Sequence, residues 1–201
     1  LRDAKDARIL LEAVRRGILP LIKRRIIFNE NRKLTSGSVF VWEEDEEEGG
    51  LLRWTDGRRW SQSRMRGDYL YYEEKVEITP EEKELKAARR AHRTSNPNVA
   101  LPPPTRRKDR PSKIDGLTKQ TYSAIVQLPG TPRIRRWHVV AYFEVRFFLL
   151  LPVIDHYHYL RDINVPRGVF QSAKAVGPIP DSYLYNLPDR AESSSASSYP
   201  P

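Results

Sequence analysis

Not one cysteine occurs among the 201 residues, and methionine appears once. The first absence removes disulfides, cysteine zinc sites and thiol chemistry, and fits a reducing compartment. Long apolar runs are missing too. The longest, Phe147 to Ile154, is interrupted by Pro152, whereas a membrane-spanning helix needs about 20 apolar residues. No membrane partner is therefore expected. No heptad repeat supports a coiled-coil dimer. Histidine is scarce, at positions 92, 138, 156 and 158. Asp155-His156-x-His158 has two imidazoles and a carboxylate but lacks the further ligands and fixed geometry of a metal site. No phosphate-binding glycine motif and no nucleophile elbow is present. We assign no catalytic residue, metal, cofactor or small-molecule substrate.

What the chain does have is positive charge. Thirty-five Lys and Arg stand against 26 Asp and Glu, a net charge of +9 with a pI near 9.8. Such an excess points to an acidic partner, nucleic acid above all. The basic residues are not spread evenly. Residues 53–66, Arg-Trp-Thr-Asp-Gly-Arg-Arg-Trp-Ser-Gln-Ser-Arg-Met-Arg, contain five arginines and two tryptophans. Thr55-Asp56-Gly57 is a turn signal between them. Guanidinium forks bind phosphate or guanine in bidentate fashion, and hydroxyls add short phosphate bonds. The bland alternative is a solvated basic turn whose tryptophans anchor a core. Residues 1–36 carry ten basic against four acidic residues, with Lys23, Arg24, Arg25 and Lys33 among them.

Residues 3–16 are expected to be a helix, capped by Asp3 and ended by Gly17, with Ala4, Ala7, Leu11 and Val14 on one face. Short strands are read at 39–42, 51–54, 69–76, 121–126 and 134–143. Glu43 to Glu48 is an acidic run, read as a solvated hairpin loop or as a screen for the arginine turn. A second helix is expected at 79–93, with Thr79 as cap and Pro80 at its first position. Residues 95–112 are a Pro-rich, basic linker, and 177–201 a Pro- and Ser-rich tail expected to be disordered. The stretch 144–163 is ambiguous between strand and helix. Each half looks too small for its own core. The expected fold is α+β, one unit of short antiparallel strands and a few helices over residues 1–176. Its parts are a first half at 3–78, an insert at 79–112 and a second half at 113–176.

Four stretches carry a family resemblance. They are Asp6-Ala7 through Arg15-Arg16-Gly17-Ile18-Leu19-Pro20, Ser36-Gly37-Ser38-Val39-Phe40-Val41-Trp42, the turn Arg53-Trp54-Thr55-Asp56-Gly57 with Trp60-Ser61-x-Ser63-Arg64, and Gly116-Leu117-x-Lys119-Gln120-Thr121-Tyr122-Ser123. In this order they resemble the WOPR domain, a fungal family of sequence-specific transcription regulators of morphological switching and development. The resemblance implies a nuclear, non-enzymatic protein that binds A·T-rich double-stranded DNA. On that reading Arg58, Arg59 and Arg64 read a groove, with Thr55, Ser61 and Ser63 beside them. Lys23, Arg24, Arg25 and Lys33 neutralise phosphates, and the turn at Lys119, Gln120 and Thr121 is a second contact region. Arg32-Lys33-Leu34-Thr35 resembles a basophilic kinase target, making Thr35 a candidate phosphorylation site. Binding as a monomer is expected.

Two other readings compete. RNA or single-stranded nucleic acid could stack on Tyr69, Tyr71, Trp54 or Trp60. A protein-interaction module would instead offer its basic face to an acidic partner.

Overall fold

The structure, a computed structural model, describes residues 1–28, 33–77, 79–95 and 110–174. The linker's 96–109, the tail from 175 onward and Arg32 of the kinase pattern lie outside the described residues.

The chain opens with helix α1, Ala4–Arg15. Asp3 caps it, its Oδ1 accepting from the backbone N–H of Lys5 at 2.9 Å and of Asp6 at 3.0 Å. Such a cap contributes about 1 kcal/mol. At the other end Gly17 takes φ 74°, so that its N–H reaches Val14 O and that of Ile18 reaches Ala13 O, each at 2.9 Å. That paired bond pattern closes a helix onto a left-handed residue, which glycine adopts without strain. Glu12 is fully buried on this helix and held between Arg15 and Arg16.

Six strands form one antiparallel sheet: β1 (Val39–Glu44), β2 (Arg64–Arg66), β3 (Tyr69–Glu73), β4 (Thr118–Gln127), β5 (Ile134–Phe143) and β6 (Phe170–Ser172). The order is β1-β5-β4-β3-β2, with β6 also on β4. Both long central strands come from the second half, and β1, β3 and β2 from the first. The register places Glu73 opposite Thr118 and Gln127 opposite Ile134. Strands β3 and β6 therefore share one side of β4, β3 beside residues 118–121 and β6 beside 124–126.

Side chains alternate across a strand, and here both faces are covered. On one face Tyr69, Tyr122, Ala124, Val126, Trp137, Val139 and Val41 pack with α1. On the other, Val140, Tyr142 and Trp42 pack with Leu34, Leu51 and Leu117, and with Phe40, Trp54 and Trp60 at the rim. The segment 51–60 thus works as a lid over the second face.

That lid is the main departure from the expected strands. Residues 51–54 do not return along β1. Leu51 O accepts from Asp45 N at 2.9 Å, and the chain then crosses the sheet face, where Leu51 and Trp54 bury more apolar surface than an edge strand offers. The outer edge of β1 is covered by Ile22 instead. Its N–H donates to Val41 O at 2.9 Å, and its O accepts from Glu43 N at 3.0 Å. The acidic run does not screen the arginine turn. It leaves the end of β1 far from that turn, where Arg133 pairs with Asp45 and Glu47, and Arg135 with Glu43.

Helix α2, Pro80–Ser95, starts with Thr79 and Glu82 bonding each other's backbone N–H, at 3.3 and 3.2 Å, a reciprocal cap. The ambiguous stretch after β5 forms two 3-10 turns, Val145–Leu150 and Ile154–His156, and the short helix α3, His158–Arg161. Strand β6 has no counterpart among the expected strands.

Candidate nucleic-acid interface

The arginine turn is built around a buried carboxylate. Asp56 accepts from Trp60 Nε1 at 2.9 and 3.0 Å, from the Tyr142 hydroxyl at 2.7 Å, from Lys119 Nζ at 3.3 Å and from the backbone N–H of Arg58 at 3.1 Å. Trp54 Nε1 donates to the same Tyr142 hydroxyl at 2.6 Å. Burial alone would raise the Asp56 pKa. The Lys119 ammonium and these hydrogen bonds outweigh it and hold the carboxyl below its usual range. Lys119 is pulled below its ordinary value by burial, with Asp56 opposing, and its ammonium lies 4.4 Å from the Trp60 ring centroid. Gly57 follows with φ 75°, the left-handed residue that closes the turn.

Arg58 faces inward. Its Nη1 reaches both oxygens of Glu74 at 2.9 Å and its Nη2 reaches Leu34 O at 3.2 Å. Glu74, 4% exposed, also accepts from Lys113 Nζ and the backbone N–H of Leu117. One of the three arginines expected to read a groove is thus bound into the scaffold. Lys33 and Thr35 flank Leu34, so they sit beside the turn, both exposed.

Residues 59–61 join the sheet edge. Trp60 bridges Glu74, Lys75 N–H donates to Arg59 O at 2.8 Å, and Ser61 N–H donates to Glu73 O at 2.9 Å. Further on, Arg64 stands opposite Tyr71 and Arg66 opposite Tyr69. From Trp60 to Arg64 is four steps, yet from Glu74 to Tyr71 is three. One extra residue within 61–63 forms a bulge, which shifts the alternation by one. Trp60 faces the lid side. Arg59 and Ser61 face the helix side, and the bulge keeps Arg64 and Arg66 on that side too, over Tyr71 and Tyr69. Arg59 and Arg66 are exposed and make no ion pair among the described residues, and Arg64 is 67% exposed with only Glu73 at 3.3 Å. Arg53 is also exposed. Arg66 belongs to the basic stretch but not to the expected groove readers, and the bulge that puts it on the same side as Arg59 has no sequence signature here beyond the polar Ser61-Gln62-Ser63.

The other expected contacts divide. Thr55 and Ser63 are exposed at the turn, whereas the Ser61 hydroxyl is committed to Gln62 O and Glu73 N–H. Lys119, Gln120 and Thr121 do not form a turn; they lie within β4. Strand alternation sends Gln120 to the helix side, 1% exposed, where its amide donates to the Tyr71 hydroxyl at 2.9 Å. Lys119 and Thr121 point to the lid side, half-buried. Lys23 pairs loosely with Glu43 at 3.9 Å on the far edge by β1, with exposed Arg24 and Arg25 next to it. The proposed stacking platforms are not open: Tyr69 is buried, with its hydroxyl donating to Asp3 O, and Tyr71, Trp54 and Trp60 are half-buried and hydrogen-bonded.

The Gti1/Pac2 family matches residues 1–113. The cAMP-independent regulatory protein pac2 of Schizosaccharomyces pombe is 52% identical over 74 residues, 37% of this chain and 31% of that protein. The transcriptional regulator MIT1 of Saccharomyces cerevisiae is 30% identical over 194 residues, 73% of this chain and 28% of that protein. The chain therefore spans less than a third of the length of these relatives. Among solved structures, the WOPR domain of Wor1 from Candida albicans in complex with a 17bp dsDNA superposes with a TM-score of 0.56 at 22% identity, covering 83% of this chain and 90% of that one. The chain belongs to the Gti1/Pac2 family, and its sheet has the WOPR fold.

Proposed function

We propose that this chain is the DNA-binding region of a sequence-specific transcription regulator acting in the nucleus. The observation that carries the reading is the line of exposed guanidinium groups, Arg59, Arg64 and Arg66, on a sheet edge fixed by the Asp56 and Glu74 networks. A rigid cationic edge loses little entropy on binding a polyanion. The family of regulators, and a WOPR domain of the same fold bound to duplex DNA, support it.

In this mechanism Arg59 and Arg64 enter a groove of an A·T-rich site, where a narrow minor groove concentrates negative potential. Arg58 acts through the scaffold by holding Leu34 and Glu74. Thr55, Ser63, Lys33 and Arg53 bind flanking phosphates, and Lys119 and Thr121 contribute through the shape of the turn. Lys23, Arg24 and Arg25, at the far edge, add longer-range attraction. Thr35 is open to a kinase. A phosphate there adds nearly two negative charges beside Lys33 and weakens DNA binding. One chain binds one site.

The test is selection from random duplex DNA, followed by affinity measurements on the enriched site. Arg59→Ala is expected to lower specific affinity by about 1–3 kcal/mol. Equal loss on every sequence would reassign Arg59 to a phosphate, and absence of any enriched motif would sink the reading.

A further inference from the structure

A second basic feature lies on the same edge of the sheet, away from the turn. Lys5 and Arg8 on α1, together with Arg167, line a cavity of about 300 Å³ whose other walls are Val165, Pro166, Gly168 and Phe170. No carboxylate pairs with Lys5, Arg8 or Arg167 among the described residues, and all three are exposed. Three cations around one small concavity repel each other unless an anion enters.

The cavity continues the row of arginines. Strand β2 ends at Arg66, and in the turn that follows Gly67 O accepts from Lys174 Nζ at 3.0 Å. Lys174 closely follows β6, Phe170–Ser172, and Arg167 precedes it. Arg8 lies beside the Tyr122 hydroxyl, in a neighbourhood that Asp68 and Ser172 share. Arg59, Arg64, Arg66, Lys174, Arg8, Lys5 and Arg167 therefore follow one another along the β2 and β6 edge and onto the adjoining helix. Two carboxylates interrupt the line, Glu73, which pairs with Arg64, and Asp68. The acidic run lies across the sheet, beside β1. From Arg59 to Arg66 the strand spans roughly 20 Å, the rise of about six base pairs.

We propose that the Lys5, Arg8 and Arg167 cavity is a second phosphate-binding subsite for the same duplex, taken up by backbone phosphates beyond the segment that the arginine turn reads. This inference rests on the DNA reading above and adds a distal anchor to it. Phosphate contacts of this kind position the protein and raise its salt dependence without choosing sequence.

The experiment compares two duplexes sharing the selected site, one about 10 and one about 25 base pairs long, chosen against the length of the arginine row. Affinity is measured with the full chain across salt concentrations. Replacing Lys5, Arg8 and Arg167 together by Gln is expected to flatten the salt slope on the long duplex by about 0.9 for each phosphate no longer neutralised. The short duplex and the base preference should be unaffected. Arg167→Gln alone should give about one such unit, which guards against misfolding of the triple variant. An unchanged slope on the long duplex, or equal weakening on both lengths, overturns the subsite. Arg59→Ala, measured alongside, separates the two ideas. If it leaves specific binding intact the groove-reading proposal fails, and if it weakens specific binding while the triple variant changes nothing, only the distal subsite fails.

Discussion

Arg58 and Arg59 are adjacent and chemically identical, and the structure gives them opposite tasks. Arg58 is 27% exposed at its side chain and bridges Glu74 and Leu34 O. Arg59 points outward and makes no ion pair among the described residues. Breaking a fully buried pair costs about 3–5 kcal/mol; solvent screening at Arg58 reduces that to roughly 2–3 kcal/mol. Arg58→Ala is therefore expected to lower the urea midpoint clearly, and Arg59→Ala to change stability by no more than about 0.5 kcal/mol. Denaturation of the two variants beside the parent decides it. Equal stability of the two would mean that Glu74 does not need Arg58. Sequence alone did not separate them, because the arginine run carries no mark of direction. Which way each arginine points depends on the strand register, and the register is set by Glu74, fourteen residues after Trp60.

At the scale of elements, the long and strongly patterned pieces were legible. Helix α1 lies where its cap, apolar spacing and Gly17 place it, and β5 covers the expected residues. What was not legible depends on tertiary choice. Leu51 to Trp54 has strand composition, but the apolar face of the sheet draws it across as a lid. Strand β6 is three residues long and exists because β4 outruns β3, leaving the other edge of residues 124–126, opposite β5, open to pairing. The family resemblance implies a contact turn at Lys119-Gln120-Thr121; pairing with both β3 and β5 makes it strand instead. The bulge at 61–63 lets Arg59 share a face with Arg64 and Arg66. Deleting Gln62 removes the extra residue, leaves Arg64 opposite Tyr71 and Arg66 opposite Tyr69, and so keeps all three arginines on the helix side. Specific DNA affinity should then change by less than about tenfold, or 1.4 kcal/mol, with the melting temperature shifting far less than for Arg58→Ala. A larger loss of affinity with the fold intact would show that the arginine row needs the bulge itself.

For the whole molecule, the joint between the halves is electrostatic as well as apolar. Asp56 binds Tyr142 and Lys119, Glu74 binds Lys113 and the Leu117 N–H, and Glu44 binds His138 at 2.8 Å and Arg136 at 3.6 Å. In each case a first-half carboxylate meets second-half donors. All three carboxyls titrate below their ordinary values. At Glu44 the His138 hydrogen bond leads. At Asp56 and Glu74 burial pulls upward, but the surrounding cations and N–H donors win. A carboxyl whose pKa is lower folded than unfolded stabilises the fold above its unfolded value, about 4, and loses that contribution as pH falls through the folded value. Stability should therefore be level near neutrality and decline as pH falls below about 4. Because the same groups join the two halves, and first-half strands flank the second-half pair on both sides in the sheet, the loss should take both halves together. Urea titrations at several pH values, followed by far-ultraviolet circular dichroism and by tryptophan fluorescence, test this. Trp42, Trp54 and Trp60 report on the first half and Trp137 on the second. Coincident transitions at every pH fit one cooperative unit. An acid state in which Trp137 keeps its native signal while the other three have lost theirs would mean that the β4–β5 hairpin stands without the strands that flank it.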